Sequence, residues 1–143
     1  MIVVDTNVIS ACMRAKKNSA VLAWLDRQHP PDLWTTTICL FELRYGIDSL
    51  PDGDRFRHYL ETSWHDIGSR IFGNRILQFD SLAADMAAEL AGVRRKTGRH
   101  VEIRDTFIAG IVRAHGATLA TRNLRDFHDA GIRLVNPWTE TAD

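Results

Sequence analysis

The chain has 143 residues, 45% of them hydrophobic and 25% charged, with a formal net charge of zero. That length and composition suit one globular domain spanning residues 1–143 with a real core. Zero net charge argues against a non-specific binder held by one large basic face, and no apolar run approaches the roughly 20 residues of a membrane span.

The elements alternate along the chain. Ile2-Val3-Val4 is a β-branched run that reads as a buried strand, and Val8, Ile9, Cys12 and Met13 give the next segment, 7–14, a helical pattern. A helix over about 19–28 carries Val21, Trp24, Leu25 and Gln28 on one face, and Pro30-Pro31-Asp32 breaks it. Leu33 to Thr36 is the second strand, followed by a helix over about 37–50 with Leu43, Ile47 and Leu50 as its stripe. After the turn at Pro51-Asp52-Gly53, a helix over about 53–70 places Phe56, Leu60, Trp64 and Ile67 at helical spacing. Arg75 to Gln78 is a short strand. Asp80 or Ser81 caps a helix reaching Thr97, with Leu82, Met86, Leu90 and Val93 as its stripe and Gly98 at its end. A helix over about 104–115, a strand over 118–121, a helical segment from Leu124 to Ala130 and a strand at Leu134-Val135 complete the chain. Strands separated by helices imply right-handed βαβ crossovers, hence a three-layer α/β/α domain with a mostly parallel central sheet.

No charged leader followed by a long apolar stretch is visible, so a cytoplasmic protein is expected. Cys12 and Cys39 fall among apolar helical residues and read as reduced core thiols. The histidines are scattered without HxH or HExxH spacing, which leaves no zinc pattern. The four tryptophans, Trp24, Trp34, Trp64 and Trp138, read as packing residues, with at least one available to a dimer interface.

The acids carry the chemistry. Asp5 stands at the carboxyl end of the first strand, the edge where ligands bind in open parallel sheets. Glu42 follows the second strand in the first turns of its helix, beside a partly apolar face, where a carboxylate needs a partner, a metal or solvent; Arg44 is one such partner. Asp105 opens the helix of Phe107, Ile108, Ile111 and Val112, and is either its N-cap or a ligand. Asp126 and Asn123 follow the fourth strand, and either can cap the next segment or aim an oxygen at the cleft. Converging carboxylates suit a hard cation such as Mg²⁺ or Mn²⁺, and that chemistry suits phosphodiester hydrolysis.

These residues resemble the PIN-domain ribonucleases, specifically the VapC/FitB-like toxins of type II toxin–antitoxin systems. The resemblance rests on Ile2 to Ser10, Phe41 to Ile47, Asp105 to Gly110, Leu119 to Phe127 and Asn136-Pro137-Trp138, in order over nearly the whole chain. It implies a Mg²⁺-dependent endoribonuclease, with Mn²⁺ as a substitute. Asp5 and Asp105 would be metal ligands, Glu42 a ligand or water-positioning acid, and Thr6 a hydrogen-bonding support. Many relatives carry aspartate where Asn123 stands, so the fourth acidic role falls between Asn123 and Asp126. The resemblance also implies a homodimer and a small DNA-binding antitoxin as partner.

Arg122 and Arg14 are the candidates for RNA contact, whereas Lys16 and Lys17 read as an ordinary solvated face. Arg104, directly before Asp105, can pair with a neighbouring acid, contact phosphate or lie in solvent, the last two being favoured. Two alternatives stand beside the main reading. A phosphotransfer domain with Asp5 as nucleophile is disfavoured because position 7 is Asn7 rather than an acid. A catalytically weakened RNA- or partner-binding module draws on Asn123 alone.

Overall fold

The computed structural model describes residues 1–14, 16 and 18–140. Its sheet contains β1 (Ile2–Val4), β2 (Leu33–Thr36), β3 (Ile76–Leu77), β4 (Thr118–Ala120) and β5 (Arg133–Val135), in the order β3-β2-β1-β4-β5. Every pairing is parallel, so the expected mostly parallel sheet is wholly so. Among the described residues six helices surround it: α1 (Thr6–Met13), α2 (Ser19–Asp26), α3 (Thr37–Asp48), α4 (Arg55–Ile67), α5 (Ser81–Lys96) and α6 (Ile103–His115). None of the described helices is long and apolar enough to cross a membrane.

Strand β1 is sealed on both faces, which explains its unbroken apolar run. Adjacent side chains point to opposite faces. Val4 joins a core with Val8, Ile9, Trp24 and Leu43, whereas Val3 joins a second core with Ile108, Ile111 and Leu119. Helices α1, α2 and α4 therefore cover one face, and α5 and α6 the other; α3 contributes Leu43 and Ile47 to the first and Cys39 to the second.

Several expected boundaries move. Helix α4 stops at Ile67 and continues as a wider π-type turn over Gly68–Phe72. The helical segment expected from Leu124 to Ala130 is a 3-10 turn over Leu124–Asp126 followed by non-helical turns. Phe56 is 42% exposed and leaves the α4 stripe, which keeps Leu60 and Ile67.

The largest correction is on α5. Leu82 and Val93 face solvent at 50% and 54% exposure, and the buried face is Ala83, Ala87, Leu90 and Arg94. The reason is the neighbour. Helix α6 presents Gly110 to that face so closely that a Cβ there would lie 2.5 Å from the Ala83 carbonyl oxygen and 2.7 Å from Ala87 Cβ. Only small side chains permit this spacing, so alanine outcompetes leucine for the interface. Gly110→Ala is expected to destabilise by about 1–3 kcal/mol, because the helices must part to admit the methyl group. Chemical denaturation measures this directly, and wild-type stability in the variant would refute the close approach.

The strand order positions the site. From β1 the chain builds outward through β2 to β3, then crosses back through α5 and α6 to β4 on the other side of β1. Such a reversal opens a crevice at the carboxyl ends of the two diverging strands, here β1 and β4. Asp5 follows β1 and Thr121 follows β4.

Candidate metal centre

Asp5 caps α1, accepting the Thr6 N–H on Oδ1 at 2.8 Å. Its Oδ2 accepts from the Thr121 hydroxyl at 2.7 Å and from Asn7 Nδ2 at 3.2 Å. Cys39 Sγ lies 3.8 Å from Oδ1. The carboxylate is only 4% exposed, and burial pushes its pKa up against the opposing pull of these donors. Asn7 also donates to Thr121 Oγ1 at 3.2 Å, and so ties the ends of β1 and β4 together.

Glu42 comes from the first turns of α3, which Thr36 caps by accepting the Cys39 N–H. Its Oε1 accepts from Thr6 Oγ1 at 3.1 Å. Burial raises its pKa, and the Asp5 charge adds to that rise. Arg44 is not its partner; Arg44 pairs with Asp48 at 3.5 Å.

Asp105 is not a cap. Glu102 occupies that position and accepts the Arg104 N–H at 2.9 Å, and α6 begins at Ile103, one residue before the expected start. Asp105 is thereby left free for the crevice. Burial, then the charges of Asp5, Glu42 and Asp126, push its pKa up to about 7. Of the three roles open to Arg104, the structure shows the less favoured one, pairing with a neighbouring acid: it meets Glu102 at 3.0 Å and approaches Glu42 at 4.0 Å. Its length lets the guanidinium fold back toward the acids.

The fourth position resolves into a pair. Asn123 Nδ2 donates to Asp126 Oδ2 at 2.6 Å, and the Asn123 N–H donates to Thr121 Oγ1 at 3.0 Å. Asn123 makes no capping bond with its side chain and serves instead as a bracket between Thr121 and Asp126.

Asp5, Cys39 and Glu42 offer ligand atoms within 4.8 Å of one another; Asp105 and Asp126 lie outside that tight group. Burial and the Asp5 charge push the Cys39 thiol up to about 12, so the sulfur stays protonated and the carboxylates remain the donors. Buried Asp5, and Glu42 and Asp105 whose pKa values neighbouring acids raise further, form a site short of positive charge, which a hard divalent cation fits. Clefts of about 540 and 660 Å³ elsewhere on the surface contain none of the four acids.

Three contributors went unread in the sequence: Asn7, Thr121 and Arg94. Arg94 is 3% exposed. It donates to the Asp129 carboxylate at 2.9 and 2.7 Å, to Thr106 Oγ1 at 2.8 Å and to the Asp126 carbonyl at 2.6 Å. It thus links the residue after Asp105 to the loop of Asp126. A signal existed, because Arg94 follows Ala83, Ala87 and Leu90 at helical spacing. Lys16 is exposed as expected, and Lys17 lies outside the described residues.

The raised acids set a pH dependence. Below about pH 7 the folded state holds protons on Asp105 that the unfolded chain, with an ordinary value of 3.8, has released. Stability of the metal-free protein is therefore expected to fall as pH rises from 4 to 7. Glu42 and Asp5 act in the same direction. Solvent screens the half-buried Asp105, so its share is about 1 kcal/mol, and Asp105→Asn should raise the metal-free melting temperature at neutral pH by about 2–4 °C. An unchanged slope of melting temperature against pH in that variant would contradict the assignment.

Fold and crevice together define a class: a parallel α/β domain that gathers carboxylates where its strand order reverses. The chain belongs to the PIN domain family, which matches residues 2–132. It is 42% identical over 141 residues to the plasmid stability protein StbB of Pseudomonas syringae pv. tomato, covering 96% of this chain and 99% of that protein. It is 36% identical over 138 residues to the VapC ribonuclease Y4jK of Sinorhizobium fredii, covering 96% and 98%. Toxin FitB of Neisseria gonorrhoeae is 33% identical over 138 residues, covering 96% and 99%. The crystal structure of FitAcB from the same organism superposes with a TM-score of 0.87 at 33% identity, covering 98% of this chain and 100% of that one.

Proposed function

We propose that this protein is a metal-dependent endoribonuclease, the cytoplasmic toxin of a toxin–antitoxin pair. The observation that carries the reading is the convergence of Asp5, Glu42 and Asp105 on one crevice, each with a pKa raised by burial, and those of Glu42 and Asp105 raised further by their acidic neighbours. The relatives named VapC ribonuclease and Toxin FitB support it. Asp5, Glu42 and Asp105 would hold Mg²⁺ or Mn²⁺. Bound there, the cation supplies Lewis acidity and an activated water for phosphodiester hydrolysis.

The chain's own groups do the rest. Thr121, Asn7 and the Thr6 N–H fix both oxygens of Asp5. Thr6 Oγ1 holds one oxygen of Glu42 and leaves the other to orient water or accept its proton. Asn123 aims Asp126 toward the same crevice from the β4 side. The proposed partners are RNA as substrate, a small DNA-binding antitoxin and a second copy of the chain.

The test uses purified protein and RNA. Cleavage is expected with Mg²⁺ or Mn²⁺ and should stop when EDTA removes the ion. Full activity in EDTA would end the metal-dependent reading.

A further inference from the structure

Some arginines on this surface pair with acids. Arg57, Arg70 and Arg113, for example, pair with Glu61, Asp66 and Glu89. Two exposed arginines beside the acidic crevice do not: among the described residues, neither Arg14 nor Arg122 pairs with a carboxylate. Each lies on an aromatic ring instead. The Arg14 guanidinium carbon is 4.9 Å from the Phe56 ring centroid, and that of Arg122 is 5.1 Å from the Trp138 ring.

Their places flank the candidate centre. Arg122 follows Thr121, and its N–H donates to Asn7 Oδ1 at 3.1 Å, while Asn7 Nδ2 donates to Asp5. One side chain thus separates the Arg122 backbone from the Asp5 carboxylate on the β4 side. On the other side, a cavity of about 170 Å³ runs from Thr6 and Glu42 to Arg14 and Phe56. Helix α1 spans this distance with eight residues, a rise of about 12 Å.

We propose that Arg14 and Arg122, braced on Phe56 and Trp138, are the two phosphate clamps that hold an RNA strand across the acidic cluster. An aromatic face steadies a guanidinium without occupying its N–H edge, which stays free for bidentate contact with phosphate oxygens. An acid partner would have taken that edge. Two such cations, one on each flank, offset the repulsion between the RNA backbone and the carboxylates. Phe56 also stacks on Tyr59, with centroids 6.3 Å apart, and both rings are more than two-fifths exposed at 42% and 48%. That pair offers an unpaired base a platform beside Arg14.

The inference rests on the ribonuclease reading, and the test separates the two. Binding of a short fluorescein-labelled single-stranded RNA is followed by anisotropy in Mg²⁺, with Asp5→Asn in every protein so that no cleavage intervenes. Adding Arg14→Ala or Arg122→Ala should weaken binding about five- to tenfold and lower the slope of log affinity against log salt by about 0.7 each. Arg122→Lys should keep the slope and lose part of the affinity, because charge remains and the fork is lost. Both arginines are exposed, so melting temperatures should stay near that of the parent.

Unchanged affinity and slope in both alanine variants, alongside RNA cleavage by the chain with Asp5 intact, would overturn the clamps and leave the ribonuclease reading standing. Loss of binding to the antitoxin with RNA binding intact would overturn them as well, by assigning the arginines to the partner. A chain with Asp5 intact that neither binds nor cleaves RNA would remove the ribonuclease reading, and the clamps with it.

Discussion

Asp5→Asn is expected to abolish metal-dependent RNA cleavage while leaving the fold as stable as before, or more so. The substitution is nearly isosteric. The amide oxygen can keep the Thr6 N–H now held at 2.8 Å, so α1 retains its cap. The other oxygen becomes an amino group facing Thr121 Oγ1 and Asn7 Nδ2. Rotation of the Thr121 hydroxyl turns its oxygen toward that amino group, whereas Asn7, whose Oδ1 accepts the Arg122 N–H, keeps its orientation and gives up only its 3.2 Å bond to residue 5. What disappears is a charge at a site 4% exposed, where burial already disfavours ionisation. In the metal-free protein that removal relieves strain with Glu42 and Asp105. With metal present, it deletes the most deeply buried carboxylate of the centre. A loss of about 4 kcal/mol of transition-state stabilisation corresponds to a roughly thousandfold fall in rate. The paired readout is decisive: a calorimetric melt at or above the parental temperature with cleavage reduced about a thousandfold or more. If activity fell only with the melting temperature, Asp5 would be a helix cap and nothing more.

Residues at strand ends were the most legible part of the sequence. Asp5 and Glu42 were readable because an apolar run followed by a helical pattern locates a βα junction, and a parallel sheet collects its junctions at one edge. Asp105 was readable as a candidate but ambiguous, since aspartate also caps helices. The ambiguity dissolves only when Glu102 is seen to be the cap. What stayed hidden depends on distances between elements far apart in the chain. Thr121 reaches Asp5 across 116 residues, and Gly110 meets Ala83 at a helix crossing that no single-helix periodicity records. The observed α5 face differs from the expected stripe for that reason: Leu82 and Val93 carry a strong apolar signal, yet the close approach of α6 selects Ala83 and Ala87 beside Leu90. The sequence leaves the fourth acidic role between Asn123 and Asp126, whereas in the structure the Asn123 amide donates to the Asp126 carboxylate, which an ionised carboxylate at position 123 could not do.

Asp129→Ala is expected to have the largest effect on stability, although Asp129 touches none of the acids in the crevice. It is the carboxylate partner of Arg94, whose side chain is 4% exposed. Removing it strands a buried guanidinium, a loss of about 3–5 kcal/mol. At roughly 3 °C per kcal/mol for a chain of this size, the melting temperature should fall by about 10 °C or more. Arg99, 3.0 Å from the same carboxylate, loses its partner too. The pH dependence follows from the sign of the shift. Arg94 holds the Asp129 carboxyl below its usual range, so the stabilisation is present above about pH 4 and is lost as the pH falls further. The effect should reach the crevice. With Arg94 no longer anchored, its bonds to Thr106 Oγ1 and the Asp126 carbonyl loosen, and these hold the start of α6 against the loop after β4. At a temperature where the variant is still folded, metal affinity should drop about 10- to 100-fold, the usual yield of losing a supporting contact behind metal ligands. The double variant Arg94→Met with Asp129→Leu separates the two roles. Two apolar side chains of similar volume should recover most of the stability, since no charge is left buried. They cannot donate to Thr106 or the Asp126 carbonyl, so the metal affinity should stay low. Recovery of both together would show that the pair only holds the fold, and recovery of stability alone that it also sets the spacing of Asp105 and Asp126.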